Sequence, residues 1–541
     1  MEQSMEPTAL IALDELFQDF TRPGAPGGSL VVVQHGEIIC QRSYGLADLE
    51  NNLRLSHTSV FNLGSVSKQF TACAILLLAQ ADKLSLDDEV HQHLPELPDY
   101  GAPLTIHHLL HHTSGLRDTF PGLLVLAEWR ESDLTTFADA KHLLFAQRTL
   151  NFRPGAEFQY ANSNYILLAE ICQRASGQRF STFCRDKILT PLGMTSAIIH
   201  DSNTMLVPNR SQGYYPADDG RWLNAPLNDT VLGATNLYAS TLDMARWERN
   251  FITAQVGGSE LICQLCTPGC LDNSTSLQYA GGLVVGSQHR GWEVVEHGGS
   301  QGGYAVHFLR FPELELAVII LFNHFRWDTL AQALKVADLF VEDKPGWSAP
   351  PPPSPLVPIS VTKLEAWAGL YFNPQTRAIR QVTCADGVLH FFGAALQPLV
   401  ENIFCFVDEP ATRLELFHSS DLRPGLKVLA YGETHTYLQM PPLSTENLPL
   451  DQYSGAYYAP ELDLVWKISA NAGHLTVNRR KYPATHPTPV FSDAFRDNWE
   501  PLLSFPAEFL LEFDRDTQGQ VGGFCVSGLG IRGLKFIKQK G

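Results

Sequence analysis

Ser65-Val66-Ser67-Lys68 stands at the head of the apolar run Ala72 to Ala79, and the reading of the chain starts from this stretch. The run is predicted to be helical, so a spacing of three puts the Ser65 hydroxyl and the Lys68 amine on one face, close enough to touch. A serine hydroxyl is a poor nucleophile unless a base removes its proton. A lysine serves as that base only where burial and neighbouring positive charge lower its pKa, and a helix amino terminus supplies part of that field. Alone the pattern is weak, since at average Ser and Lys usage S-x-x-K arises by chance roughly once in a chain of this size. It needs partners elsewhere in the sequence.

Two are present. Tyr160-Ala161-Asn162 follows Phe152 to Gln159 and precedes a helical segment, Asn164 to Ala175, so a phenol and an amide project from a turn before a helix. A tyrosine beside a lysine can work as a phenolate base, and an asparagine amide can both hold a lysine and bind a substrate carbonyl. His297-Gly298-Gly299-Ser300 comes just before an expected strand, Tyr304 to Phe311. Gly298 and Gly299 let a substrate backbone lie against the strand edge, while the amide of Ser300 can join that of Ser65 as an oxyanion hole. Taken singly, the first is a core tyrosine with a satisfied hydroxyl and the second a glycine-rich turn.

Outward from these motifs, Gly28 to Gln34 and Glu37 to Gly45 read as a hairpin turning at His35-Gly36, and Leu316 to Phe322 as a buried strand. Further helices are expected after the capping pair Ser240 and Asp243 and from Asp328 to Val341. Pro345 to Pro358, with Pro350 to Pro353 in a row, forces extended geometry and divides the chain. Beyond it, Leu364, Gly369, Tyr371, Pro374, Gly387 and Leu389 recur 86 positions later as Leu450, Gly455, Tyr457, Pro460, Gly473 and Leu475, with Trp367 matched by Tyr453. One constant offset at so many positions marks a duplication. Both copies hold short alternating runs, such as Val388 to Phe392 and Phe509 to Phe513, so two antiparallel barrels in tandem are expected, packed against the first domain.

The composition agrees with a large globular protein of several domains: 541 residues, 44% hydrophobic and 18% charged, with a mean hydropathy of -0.08. Thirty-nine Lys plus Arg against 57 Asp plus Glu leave a net charge of -18, which repels phosphate backbones and anionic headgroups and argues against nucleic-acid and membrane partners. The longest apolar stretch, Ala72 to Ala81, is about half the roughly 20 residues a spanning helix needs. Met1 to Phe20, with Glu2, Glu6, Asp14, Glu15 and Asp19, reads as an amphipathic helix rather than a leader, so a cytoplasmic location is expected. The ten cysteines imply no disulfide framework, and Cys263, Cys266 and Cys270 lack a fourth ligand nearby.

Together and in this order, the three motifs resemble the serine β-lactamase and penicillin-binding-protein superfamily, in its class C-like branch of esterases and D-stereospecific peptidases. His111-His112-Thr113-Ser114-Gly115-Leu116 and Tyr165 to Ile171 look like the branch's connecting segments. Ser65 to Thr71, Ser114 to Asp118, His297-Gly298-Gly299 and the two trailing barrels are similar to the three-domain bacterial D-aminopeptidases over essentially the whole chain. The fold this implies is α+β: a β-lactamase/transpeptidase-like domain of antiparallel sheet and helices at 1–345, a proline-rich linker at 346–360, and two small lipocalin-like β-barrels at 361–446 and 447–541. By the resemblance Ser65 is the acyl-forming nucleophile, Lys68 and Tyr160 share the base and acid work, Asn162 positions substrate, and His297 completes the catalytic set on the strand lining the cleft. Neither cofactor nor metal is implied, although His107, His108, His111 and His112 offer i,i+4 pairs. β-Lactamases and transpeptidases carry lysine where His297 stands, so efficient penicillin hydrolysis is not expected.

The resemblance also singles out Arg479 to Pro489, at the place where D-aminopeptidases send a loop into the catalytic cleft. Here Arg479, Arg480 and Lys481 are expected to bind substrate; where the loop reaches the cleft they repel a free ammonium group, unless nearby carboxylates or the fold turn those side chains away, or else the acyl group preferred is neutral or anionic at that end. The function expected is a serine hydrolase working through an acyl-enzyme on a small molecule or short peptide, foremost a D-aminopeptidase or amidase. The rivals are an esterase or acyltransferase, including one that cyclises peptides, and a non-catalytic penicillin-binding-type receptor. Assembly as a homodimer is allowed for.

Overall fold

His35 and Gly36 both have positive φ, 51° and 75°, the pair of conformations whose twist matches that of two antiparallel strands. They join β1 (Gly28–Gln34) to β2 (Glu37–Tyr44) as expected. The computed structural model describes residues 7–326, 328–342, 344–349, 359–391, 393–406, 412–430, 433–441, 448–471, 473–499 and 507–540. The proline run at 350–358 therefore lies outside the described residues.

β1 and β2 belong to an antiparallel sheet with β3 (Val284–His289), β4 (Trp292–Gln301), β5 (Tyr304–Phe311) and β6 (Leu316–Phe322), in the order β3-β4-β5-β6-β1-β2. β5 and β6 are buried along their whole length, which is why they read as continuous apolar runs. The two-residue period of the strands sorts their side chains to two faces. Leu30, Val32, Leu309, Val318 and Ile320 pack on one face with Leu13 of α1 (Pro7–Leu16) and with Val336 of a carboxy-terminal helix, Thr329–Val341. Val31, Val33, Val306, Phe308 and Ile319 face the larger core. That core holds α2 (Lys68–Gln80), α3 (Asn162–Ser176) and α4 (Thr241–Thr253). α4 starts in a capping box, with Ser240 Oγ accepting from Asp243 N at 3.2 Å and the Asp243 carboxylate accepting from Ser240 N at 3.1 Å.

Downstream, eight strands from Gly369–Phe372 to Glu433–Gln439 close into a barrel, and eight more from Gly455–Ala459 to Ile531–Lys538 form a second, barrel-like sheet. The duplication has a visible structural core. Tyr371 O–H donates to the Trp367 carbonyl at 2.9 Å, and Tyr457 O–H to the Tyr453 carbonyl at 2.7 Å, the same corner in both copies. The first barrel meets the second through Phe372, Ile379, Phe491 and Leu510. The second meets the first, amino-terminal domain through the ion pairs Arg117–Glu461 and Arg532–Glu157 and through Ile531, whose side chain packs against Gly122.

Candidate active site

Of the ten residues from Phe61 to Phe70, only Ser65 is not buried. It sits in a tight turn, Gly64–Ser67, that feeds α2, and the turn lies against the end of β4. Two glycines allow that approach. A Cβ on Gly299 would stand 2.1 Å from the Leu63 carbonyl oxygen and 3.0 Å from Ser65 N, and one on Gly64 would stand 2.6 Å from Ser300 N. The backbone at Ser65 and at Ser300 is thereby brought close together, as an oxyanion hole made of their two amides would need.

Lys68 is fully buried at the start of α2, and its Nζ donates to Ser65 Oγ at 3.0 Å, Asn162 Oδ1 at 2.8 Å and the Ala234 carbonyl at 3.1 Å. All three of its donors are used. Burial lowers its pKa to about 7, against the opposing pull of the Asp118 carboxylate. The half-buried Tyr160 ring lies 4.8 Å below this amine, tilted by 36° against His112 with ring centres 4.4 Å apart. Asn162 is the first residue of α3; its N–H donates to Asp118 Oδ1 at 2.7 Å and its Nδ2 to the Phe120 carbonyl at 2.6 Å. Asp118 is buried in turn, and that burial pushes its pKa up to about 7.

His297 occupies β4 opposite Phe308, its Nδ1 donating to the Gly298 carbonyl at 2.6 Å, which leaves Nε2 to accept from Tyr279 O–H at 3.1 Å. Burial, with Lys68 adding to it, lowers its pKa to about 4, so the imidazole is neutral at pH 7. Its ring centre lies 6.1 Å from that of Tyr160, in the same wall. Ser65, Lys68, Tyr160, Asn162, His297, Gly298, Gly299 and Ser300, drawn from three distant stretches, thus meet in one place. The sequence reading missed the roles of Asp118, His112, Tyr279 and the Ala234 carbonyl.

Arg479, expected at the substrate, is a correction. Its side chain is fully buried inside the second barrel, ion-paired with Asp497 and held between Trp466 and Trp499 at 4.2 and 3.8 Å. A guanidinium stacked and paired in this way is not available to the cleft. Arg480 and Lys481 do lie at the first domain, where Arg480 Nε stands 3.7 Å from Glu128 Oε2 with its side chain largely exposed. Their backbone amides donate to Glu128 Oε2 at 2.8 and 3.2 Å, and Lys481 Nζ donates to Asp133 Oδ2 at 2.6 Å. Tyr482 O–H donates to the Trp129 carbonyl at 2.7 Å. The loop therefore braces residues 128–133, and Trp129 and Asp133 in that segment line a cavity that opens beside Asn162. The expected repulsion of an ammonium group by bare cations does not arise.

Comparison with known proteins gives the family and the fold. The family model for Beta-lactamase matches residues 13–342. A D-aminopeptidase of Gluconobacter oxydans is 28% identical over 450 residues, 82% of this chain and 81% of that protein. Penicillin-binding protein 4* of Bacillus subtilis is 27% identical over 435 residues, 77% and 92% of the two chains. Among solved structures, an octameric penicillin-binding protein homologue from Pyrococcus abyssi covers 99% of this chain and 100% of its own, at 18% identity and a TM-score of 0.55. D-amino acid amidase from Ochrobactrum anthropi, complexed with D-phenylalanine, covers 62% of this chain and 100% of its own, at 20% identity and a TM-score of 0.53. The chain therefore belongs to the β-lactamase family, in the serine β-lactamase and penicillin-binding-protein superfamily and near the D-aminopeptidases.

Proposed function

We propose that the protein is a serine hydrolase that transfers the acyl group of a small amide or short peptide to Ser65 and then to water, with D-aminoacyl amides and peptides as its substrates. The observation that carries this reading is the 3.0 Å contact between Ser65 Oγ and a buried Lys68 amine whose pKa is lowered to about 7. An amine so placed is half neutral near pH 7 and can take the serine proton as the hydroxyl attacks. The negative charge that develops on the carbonyl oxygen falls between the Ser65 and Ser300 amides. Tyr160, against Lys68, passes the proton to the leaving amine and afterwards helps to activate the water that releases the acyl group. Asn162 holds Lys68 through its Oδ1 and so keeps the amine aimed at Ser65. Preference for a D-residue rests on the relatives and neighbours named above, and compensation of the barrel cations removes an objection to a free amine. Domain limits at 1–345, 361–446 and 447–541 and a cytoplasmic location belong to the same proposal; no described helix is long and apolar enough to cross a membrane.

The test is a fluorophosphonate label followed by intact mass, together with turnover of paired D- and L-aminoacyl amides. Labelling at Ser65, lost in Ser65→Ala, with faster turnover of the D-series is expected. Normal turnover by Ser65→Ala would overturn the acyl-enzyme, and equal rates for both series would remove the D-preference.

A further inference from the structure

The cavity beside Asn162 borders the site through three residues. Asn162 and Ala234, both bonded to Lys68 Nζ, lie in its wall, and so does Gln301, the residue after Ser300. Most of the remaining wall is apolar, including Phe120, Leu124, Trp129, Leu227 and Val231. Of the carboxylates that line it, Asp133 is answered by Lys481 and Arg130, and Glu131 accepts from Tyr215 O–H at 3.3 Å.

Asp229 differs. Its Oδ1 accepts from Val231 N at 3.1 Å and from Asn236 Nδ2, and its Oδ2 from Gln301 Nε2, all neutral donors. Since the Gln301 Nε2 is committed to this carboxylate, the other end of the amide is fixed as oxygen. That oxygen, Oε1, is buried and has no hydrogen-bond partner among the described residues, and the Gln301 residue as a whole is only 7% exposed. A carboxylate held by neutral groups and a buried amide oxygen without a donor are both costly, and one ligand answers both: a cation that carries N–H donors.

We propose that Asp229 and Gln301 Oε1 form a subsite for a primary ammonium group on the acyl part of the substrate. This deepens the hydrolase reading and rests on it, because the acyl part is defined by attachment to Ser65. The ammonium has two sources, the α-amine of an amino-terminal residue and the side-chain amine of a lysine-like residue, and three substrates of similar size separate them. D-norleucine amide carries only the α-amine, Nα-acetyl-D-lysine amide only the side-chain amine, and N-acetyl-D-norleucine amide neither. For the wild type, one cationic substrate is expected to exceed the neutral one in kcat/KM by about tenfold or more, and in Asp229→Asn that ratio falls to near one. The substrate with the larger ratio names the source.

A binding measurement stands apart from turnover. Calorimetric titration with butylammonium chloride should show tighter binding than butanol to the wild type, and Asp229→Asn should weaken the ammonium by about tenfold or more. Wild-type protein that binds butylammonium no better than butanol overturns the subsite, however the variant folds. Cationic-to-neutral ratios that stay the same in Asp229→Asn overturn it while leaving a labelled Ser65 and the hydrolase reading intact. Ammonium binding that depends on Asp229, with no amide turned over, upholds the subsite and removes the hydrolase.

Discussion

Lys68 and Asp118 are buried neighbours whose ionised forms burial disfavours from opposite sides: the amine is pulled down and the carboxyl pushed up, each to about 7. The Asp118 charge raises the Lys68 pKa, so it works against the neutral amine the chemistry needs. Asp118→Asn should therefore move the acid limb of kcat/KM to lower pH, because Lys68 then loses its proton at a lower pH; a pH–rate profile of both proteins checks the sign. Lys68→Ala should cost a factor of about 10² to 10⁴, the usual contribution of a positioned base. His297 gives a second prediction. As a neutral imidazole with a pKa near 4, it attracts a penicillin carboxylate less than an ammonium does, so His297→Lys should speed benzylpenicillin acylation of Ser65, read by protection against the fluorophosphonate. At this scale Ser65, Lys68, Tyr160 and Asn162 were legible because their side chains name their chemistry. Ala234 acts through its carbonyl, which no sequence pattern encodes, and nothing local marks Asp118 as buried.

Elements were legible where their signals are local. The His35-Gly36 turn, the Ser240–Asp243 capping box and the apolar strands at 304–311 and 316–322 all formed where turn chemistry, capping and burial require. The turn at 528–531 in the second barrel is marked by Gly528 and Gly530, but nothing local says that it touches the site. The Gly530 carbonyl accepts from Asp118 N at 3.2 Å, Asn151 Nδ2 at 2.8 Å and Gln159 Nε2 at 2.9 Å, so one carbonyl fixes the neighbours of both Asn162 and Tyr160. Gly530 has φ 76°, and a Cβ there would stand 2.8 Å from Asp118 Cβ. Gly530→Ala should cost about 1 to 2 kcal/mol of stability from the left-handed backbone alone. It should also lower kcat by displacing Asp118 and Gln159. Calorimetry and steady-state kinetics on the same sample separate the two effects, and an unchanged kcat would reduce the turn to a simple prop. The Arg479 loop was open for a related reason: the sequence shows its cations but not whether carboxylates answer them, and only the tertiary fold supplies Asp497, Glu128 and Asp133.

At the scale of the whole molecule, contact runs from the first barrel to the second and from the second to the first domain, where the last link reaches Asp118 behind the site. Arg117 is its centre. The guanidinium is buried and ion-paired with Glu461 of the second barrel, with Gln147 Oε1 at 2.9 Å and Thr149 Oγ1 at 2.8 Å completing its partners on the catalytic side. The Arg117 carbonyl accepts from Ser163 Oγ at 2.6 Å, and that hydroxyl in turn accepts from Thr119 N at 2.8 Å. Arg117 thus stands next to Asp118 in the chain and is tied to the start of α3, where Asn162 begins. Glu461→Gln keeps the shape but leaves a buried cation without its counter-charge, a loss of about 3 kcal/mol when a buried pair is broken from one side. The expected result is a lower melting temperature at neutral pH together with a shifted acid limb of kcat/KM, because Arg117 moves with Asp118 and the Asp118 charge raises the Lys68 pKa. A barrel that serves only to cover apolar surface would give the first effect without the second. Measuring both on Glu461→Gln, with the exposed pair Lys427–Glu415 of the first barrel broken by Glu415→Gln as a control, decides whether the trailing domains tune the chemistry or merely shelter it.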